Sequence, residues 1–339
     1  MVKRGLVVGA MAVICLAVLP RGKAEAVLGI PDEVPSATIV IPLLEAGTSS
    51  DHNTLISITN TCGGATPRIL HWEAWDVEGL PIDLAGNVSL EEYEAWVTDF
   101  KTILASADAG QRSQLIDGSF YHGFLTIDLV TSATNLPPTD AAYPFASANC
   151  LKGVIYYVRL VEGAANGISA IHIEGGVSGA LSANVRGFYQ NGDDREEIDN
   201  HARYYAERTT RTLAVIDDPD DSLDAIISRV FLSPALNGSS RIVVWAWGPP
   251  AWPVQGPGDG GRGPFTARHR GEDGRTVSTQ FLELRRVVNI INVSGTTNGE
   301  IWIEGLPENF NVYAFSFNSA EGNAAQTWEV MFPSTIVAE

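Results

Sequence analysis

The sequence predicts a mainly β protein: an antiparallel β-sandwich of the immunoglobulin-like or jelly-roll type, with one or two helical insertions. Many short segments alternate apolar and polar residues, and turns rich in Asn, Gly and Pro separate most of them. Hydrophobic residues make up 45% of the 339-residue chain, which is enough for a sizeable core. Two helical patterns among about a dozen strands do not alternate as βαβ units would, which argues against a parallel α/β sheet.

Each predicted strand is a β-rich segment, typically with every second residue apolar, as expected when one face of a sheet is buried. The predicted strands are 37–44, 54–60, 68–76, 80–84, 123–130, 153–161, 168–174, 225–232, 241–247, 278–287, 299–303, 311–317 and 326–332.

Two segments are predicted to be helical. Segment 89–104 begins with Ser-Leu-Glu-Glu at 89–92, which resembles a capping box, and Trp96 and Phe100 follow at helical spacing. Segment 197–213 is charged, with weaker periodicity.

Segment 248–275 holds eight Gly and five Pro in 28 residues and is predicted to be a long exposed loop. Composition favours disorder there. The body of the protein, 27–339, is predicted to be an elaborated β-sandwich, either one domain or two sub-domains divided near 135.

The first 26 residues have the layout of a secretory signal peptide. Lys3 and Arg4 precede an apolar run at 6–19, and the small-residue pattern Ala24-Glu-Ala26 places the cleavage after Ala26. The run is short for a membrane span, and no later stretch reaches that length. We therefore expect a secreted, periplasmic or cell-surface protein with no membrane span after cleavage.

The chain is acidic, with a formal net charge of −18. Segment 1–26 carries four basic residues and one acidic residue, so its removal changes the charge by −3, to −21. Nucleic acids and anionic lipids bind cationic surfaces, so we expect neither as a partner. Divalent cations remain compatible with this charge.

Cleavage would also remove Cys15 and leave Cys62 and Cys150. An even pair of cysteines in an exported protein predicts one disulfide, and two free thiols are the alternative.

Several strand segments carry a resemblance to known proteins: 30–44, 53–60, 69–80, 123–130, 169–174, 241–245 and the C-terminal strands. These segments resemble a group of exported bacterial β-sandwich proteins that have no assigned activity. The resemblance implies the same fold and a secreted, surface-type role, and it implies no catalytic residues.

Two His-x-Glu pairs, His71 with Glu73 and His172 with Glu174, each place both side chains on one face of a strand. If the two strands were neighbours, the four side chains could bind zinc or another transition metal. The alternative is a solvent-facing or hydrogen-bonded strand face.

The acidic run of Asp217, Asp218, Asp220 and Asp221 could supply oxygen ligands to calcium, and the sequence suggests no organic cofactor. It does not match an EF-hand loop, so a solvated turn is the alternative.

Eight tryptophans are present, and indole rings in exported β-sandwiches can stack on sugar rings. Trp245 and Trp247 share a strand face, and Trp252 lies in the Gly/Pro-rich loop. These three are the candidate ligand-binding residues, and core packing is the alternative for those on strands.

No nucleophile elbow, zinc-protease motif, P-loop or dinucleotide fingerprint is present. The sequence therefore favours a non-catalytic structural or interaction protein of the envelope or extracellular space, with self-association or other envelope proteins as partners. The alternative is a carbohydrate-binding protein or glycoside hydrolase that uses exposed tryptophans on a polysaccharide.

Overall fold

The structure is a computed structural model, and it describes residues 35–49, 52–140, 142–146, 148–159, 164–173, 214–215, 225–230, 232, 239–247, 264–283, 286–293, 295–304, 311–319, 327–330 and 332–334. Among these residues, no helix has the length and apolar character that a membrane span requires.

The described residues form twenty strands and two short helices, which confirms a mainly β fold with helical insertions. The strands are β1 Thr38–Gly47, β2 His52–Asn60, β3 Arg68–Trp75, β4 Pro81–Leu90, β5 Ala95–Asp99, β6 Ile116–Asp117, β7 Phe120–Val130, β8 Leu151–Arg159, β9 Ala164–Ser169, β10 Ile171–Ile173, β11 Ala214–Val215, β12 Ala225–Val230, β13 Ser239–Trp247, β14 Pro264–Gly271, β15 Thr276–Glu283, β16 Val288–Val293, β17 Gly299–Glu304, β18 Asn311–Ser319, β19 Thr327–Val330 and β20 Phe332–Ser334. The helices are α1 Phe100–Ser106 and α2 Ala109–Leu115.

The strands assemble into four sheets, and every described pairing is antiparallel. Sheet I has the order β10-β1-β7-β3-β4, with β6 paired to β7. Sheet II is β5-β2-β8-β9. Sheet III is β11-β18-β13-β16, with β19 paired to β18, and sheet IV is β15-β14-β17-β12-β20.

Sheet I is covered on both faces, because every residue of β1 is buried. One face packs on sheet II so closely that a Cβ on Gly153 would lie 2.9 Å from the side chain of Ile39. Trp72 of β3 stacks on Trp96 of β5 across the same interface, with ring centroids 6.4 Å apart. Sheets I and II therefore form a sandwich, as the alternation of apolar residues predicts.

The other face of sheet I meets sheet III. Trp75 stacks on Phe124 at 5.7 Å, and Phe124 meets Trp245 of β13 edge-to-face at 6.1 Å. One hydrophobic core thus includes residues from 37–173 and from 243–317.

The predicted disulfide is confirmed: Cys62 is bonded to Cys150, with the Cα atoms 5.1 Å apart. Cys62 follows β2 and Cys150 precedes β8, and these two strands pair with Asn60 opposite Leu151. The disulfide therefore closes the end of this strand pair.

The predicted helix at 89–104 is wrong over most of its length. β4 continues to Leu90, and a turn with Tyr93 at φ 58° leads into β5. The helix begins only after Asp99, whose side chain accepts a hydrogen bond from the amide of Thr102. The positive φ breaks the helix, and packing of Trp96 between the sheets overrides the helical spacing. Segment 197–213 lies outside the described residues.

The exposed loop predicted at 248–275 is wrong over 264–271, which form β14, whereas 272–275 form an exposed turn. Ala267 and His269 are buried and alternate with exposed Arg268, as in a half-buried strand. Residues 248–263 lie outside the described part of the chain. The predicted elements also lack β16 and helix α2. The single strand predicted at 168–174 covers parts of two strands, β9 and β10, which Ala170 separates.

Candidate functional site

The predicted metal site is not formed by the residues that the structure describes. β7 and β1 lie between β3, which carries His71 and Glu73, and β10, which carries His172. The register places His71 in the row of Thr38 and His172 in the adjacent row of Ile39, so the two imidazoles leave opposite faces of sheet I. Among the described residues, no group of three His, Cys, Asp or Glu side chains could bind a metal ion. Glu174 lies outside them.

His172 is a structural residue of the sandwich core. It is 5% exposed, and its Nε2 accepts a hydrogen bond of 3.1 Å from the amide of Gly153 in sheet II. Burial lowers the pKa of His172 to about 4, so the imidazole is neutral at physiological pH. It links the two sheets by a hydrogen bond.

His71 belongs to a buried polar group on the other face of sheet I. Asp128, opposite it on β7, is fully buried and accepts hydrogen bonds from the hydroxyls of Thr38 and, at 3.1 Å, Tyr143. The His71 ring meets Tyr143 edge-on at 5.4 Å, and its Nδ1 lies 3.4 Å from Oδ1 of Asn87. Burial lowers the pKa of His71, so it too is neutral.

Glu73 is a buried carboxyl of this group whose pKa is strongly raised. It is 3% exposed, and its Oε2 has no hydrogen-bond partner among the described residues. Burial raises the pKa of Glu73 to about 7, and the charges of Asp128 and Asp83 act in the same direction. Such a carboxyl can donate or accept a proton near neutral pH.

Access decides what this group can do chemically. His71, Glu73 and Asp128 are 1%, 3% and 0% exposed. A general acid or base must come within hydrogen-bond distance of its substrate, and these side chains are sealed between sheet I and the segments that cover it. The group is therefore a buried polar patch rather than an accessible reactive centre.

A second buried group joins sheets I and III, and the sequence analysis missed it. Glu45 of β1 is 6% exposed, and Arg241 of β13 binds its two oxygens at 2.6 and 3.1 Å. Nε2 of His122 lies 3.2 Å from Oε2 of the same carboxylate. Burial alone would raise the pKa of Glu45, but the hydrogen bonds from His122 and Arg241 and their charges lower it to about 2. Glu45 is the one charged residue of the buried strand β1, and this is the sequence signal for such a buried ion pair.

The structure corrects one tryptophan prediction. Trp245 is fully buried against Phe124 and belongs to the core, so it cannot stack on a ligand. Trp247 ends β13, but its side chain is not described, and Trp252 lies outside the described residues, so their role stays a prediction. The same holds for the acidic run Asp217, Asp218, Asp220 and Asp221.

An open pocket lies on sheet IV, where the β14–β15 turn approaches the start of β17. Its volume is about 240 Å³. The register brings Arg270 opposite Glu300 and Gly271 opposite Gly299. The lining residues are Arg270, Gly271, Glu272, Gly274, Gly299, Glu300 and Trp302.

Two polar groups of this pocket, those of Arg270 and Glu300, contact the ring of Trp302. The guanidinium carbon of Arg270 lies 3.8 Å from the ring centroid of Trp302, a cation–π contact. The indole N–H of Trp302 donates to Oε2 of Glu300 at 3.3 Å. One tryptophan thus positions a guanidinium and a carboxylate side by side.

The local sequence of β17 carries a signal for this pocket. In Gly-Glu-Ile-Trp-Ile-Glu at 299–304, Ile301 and Ile303 alternate with Glu300 and Trp302. The two isoleucines are buried, so Glu300 and Trp302 face the other side of the sheet.

Comparison with known proteins gives no family. No protein-family model matches the chain, and no curated protein matches it in sequence. The crystal structure of a lectin from Pleurotus ostreatus in complex with GalNAc aligns with 88% of this chain and 82% of its own, at 9% identity and a TM-score of 0.18. A score of this size establishes neither a shared fold nor a shared ligand.

Proposed function

We propose that the protein is an exported, non-catalytic interaction protein of the cell surface or extracellular space. The Cys62–Cys150 disulfide carries this proposal, because structural disulfides persist in oxidising compartments and are rare in the cytosol. The amino-terminal segment with signal-peptide character and the strand-level resemblance to exported bacterial proteins support it.

The non-catalytic part of the proposal rests on access. Glu45, Glu73 and His172 have strongly shifted pKa values, and each of these side chains is at most 6% exposed. Perturbed groups of this kind mark an active site when they line a cleft, and in structural networks they mark packing. With a net charge of −18, the protein repels nucleic acids and anionic membrane surfaces, which favours neutral or cationic partners.

Fractionation of cells that make the protein tests export. We expect the chain in the extracytoplasmic or extracellular fraction, with a cytosolic enzyme as the marker for leakage. A chain that stays with the cytosolic marker, with Cys62 and Cys150 reactive toward a thiol reagent, would overturn the proposal.

A second candidate function is carbohydrate binding, and the pocket around Trp302 is the observation that favours it. An indole beside a guanidinium and two carboxylates is a combination that suits a hydroxyl-rich ring.

A glycoside hydrolase would in addition need two carboxyl groups flanking the scissile bond. Release of reducing sugar that is abolished in both Glu272→Gln and Glu300→Gln would establish hydrolysis. Sugar binding without release would leave a binding protein.

The molar mass of the protein in solution distinguishes a self-associating structural protein from a carbohydrate-binding protein. Light scattering on a sizing column, with and without calcium, reports self-association and a role for the acidic run at 217–221. Calcium-dependent or concentration-dependent assemblies favour a structural protein. A monomer under both conditions favours ligand binding.

A further inference from the structure

Backbone atoms of glycine residues line part of the pocket on sheet IV. A Cβ on Gly299 would lie 1.9 Å from the carbonyl oxygen of Arg270, so only glycine fits there. Gly274 has φ +75°, which lets the β14–β15 turn close beside the pocket. The glycines thus allow a close approach to the strands, and the side chains of Arg270, Glu272, Glu300 and Trp302 form the walls.

The size of the pocket limits what it can hold. Pockets for drug-sized ligands occupy roughly 300–1,000 Å³. At about 240 Å³, this one suits a single ring-sized group rather than an extended molecule. The open side would let that group belong to a longer chain.

The walls offer hydrogen-bond donors and acceptors, and those of Arg270 and Glu300 are held by Trp302. Arg270 donates only, and the carboxylates of Glu272 and Glu300 accept only. Stacking on Trp302 holds the guanidinium of Arg270, and the indole N–H holds the carboxylate of Glu300. These two side chains therefore lose little conformational entropy when a ligand binds. A hydroxyl group both donates and accepts, so adjacent hydroxyls can satisfy the guanidinium and a carboxylate together.

The charge of the pocket selects among hydroxyl-rich ligands. Two carboxylates face one guanidinium, and the whole chain is strongly acidic. A uronic acid or a phosphorylated sugar would be repelled, whereas a neutral sugar would not be.

We propose that the pocket of Arg270, Glu272, Glu300 and Trp302 binds one neutral sugar residue and discriminates against anionic sugars. This inference rests on the carbohydrate-binding candidate and names both its site and its ligand class. It is independent of the proposed export.

The test measures binding of the full chain to immobilised glucose, galactose, mannose, N-acetylglucosamine and glucuronic acid. We expect at least one neutral sugar to bind and glucuronic acid to bind at least tenfold more weakly. Glu272→Gln and Trp302→Ala should each weaken binding to the neutral sugar by about tenfold or more, as loss of a charge-assisted hydrogen bond or an aromatic support does. Asp273→Asn is the matched control, because it removes the same charge from the same turn outside the pocket lining and should leave binding unchanged.

The possible results distinguish a wrong binding site from a protein that does not bind carbohydrate. Neutral-sugar binding that survives both Glu272→Gln and Trp302→Ala would overturn this site and leave carbohydrate binding standing. Equal binding of glucuronic acid would overturn the ligand class. Failure of all five sugars to bind would overturn the inference and the carbohydrate candidate together, with export decided by fractionation. Because Glu272 is exposed, its variant keeps the test valid if Trp302→Ala does not fold.

Discussion

Replacement of Glu73 by glutamine is expected to stabilise the protein at alkaline pH and to have little effect in acid. The carboxyl is 3% exposed, and its Oε2 has no hydrogen-bond partner among the described residues. Burial, together with the charges of Asp128 and Asp83, raises the pKa of Glu73 from 4.5 to about 7. Glutamine has nearly the same shape and carries no charge at any pH, so the pH-dependent part of the difference in stability reports the ionisation of Glu73.

The expected size of the effect follows from the shift in the pKa of Glu73. The difference of 7 − 4.5 is 2.5, and at 1.36 kcal/mol for each pH unit the cost of ionising the buried carboxyl is about 3 kcal/mol. The unfolded chain releases the proton above pH 4.5 and the folded chain only above about pH 7. Stability is therefore lost as the pH rises from 4.5 to 7, and the loss is complete above 7.

The measurement is urea unfolding of the wild type and Glu73→Gln at pH 4 and pH 8. The variant should be more stable by up to about 3 kcal/mol at pH 8 and equal to the wild type within error at pH 4. Glu92→Gln, which alters an exposed carboxyl in the β4–β5 turn, should change neither value. A Glu73→Gln variant that is less stable at pH 8, or equally stabilised at both pH values, would show that ionisation of Glu73 does not destabilise the protein.

Three further predictions concern stability. Glu45→Gln should destabilise the protein by about 3 kcal/mol at pH 7, because the pKa is lowered from 4.5 to about 2 and (4.5 − 2) × 1.36 is about 3. This stability is present above pH 4.5 and lost as the pH falls toward 2, so the difference in urea midpoints should shrink over that window. A difference that is constant with pH would contradict the ion pair. The double variant Cys62→Ser, Cys150→Ser should lose about 4–5 kcal/mol, because the disulfide closes a loop with a sequence separation of 88, and an unchanged urea midpoint would contradict this. Gly299→Ala should lower the melting temperature by several degrees, since its Cβ would lie 1.9 Å from the carbonyl oxygen of Arg270, and an unchanged value would show that the strands can separate.

The sequence predicted the features that depend on local pattern. Alternation in segments such as 54–60 identified the strands, because a half-buried strand must place apolar residues on one face. The pairing of Cys62 with Cys150 followed from their number once Cys15 was assigned to the leader.

The errors arose where distant contacts outweigh local pattern. Trp96 and Phe100 have helical spacing, yet Trp96 packs on Trp72 in the opposite sheet, and that contact requires a strand. In 264–271 the Gly/Pro content of the preceding residues obscured the alternation around Ala267 and His269. In both cases tertiary packing decided the structure.

The candidate sites were the least predictable features, because the local sequence does not determine strand order and register. His71 and His172 could have formed one site only if β3 and β10 were neighbours, and two strands separate them. The pocket residues come from a turn and a strand about thirty residues apart, so only the fold brings Arg270 and Glu272 beside Trp302.

The decisive measurement is the intact mass of the native protein in the cytosolic and in the extracytoplasmic fraction of the cells. We predict an extracytoplasmic chain that begins at Val27 and is two hydrogens lighter than its fully reduced form, because Cys62 and Cys150 are bonded. A chain that retains residues 1–26 in the cytosol, or one with two free thiols, would contradict this prediction.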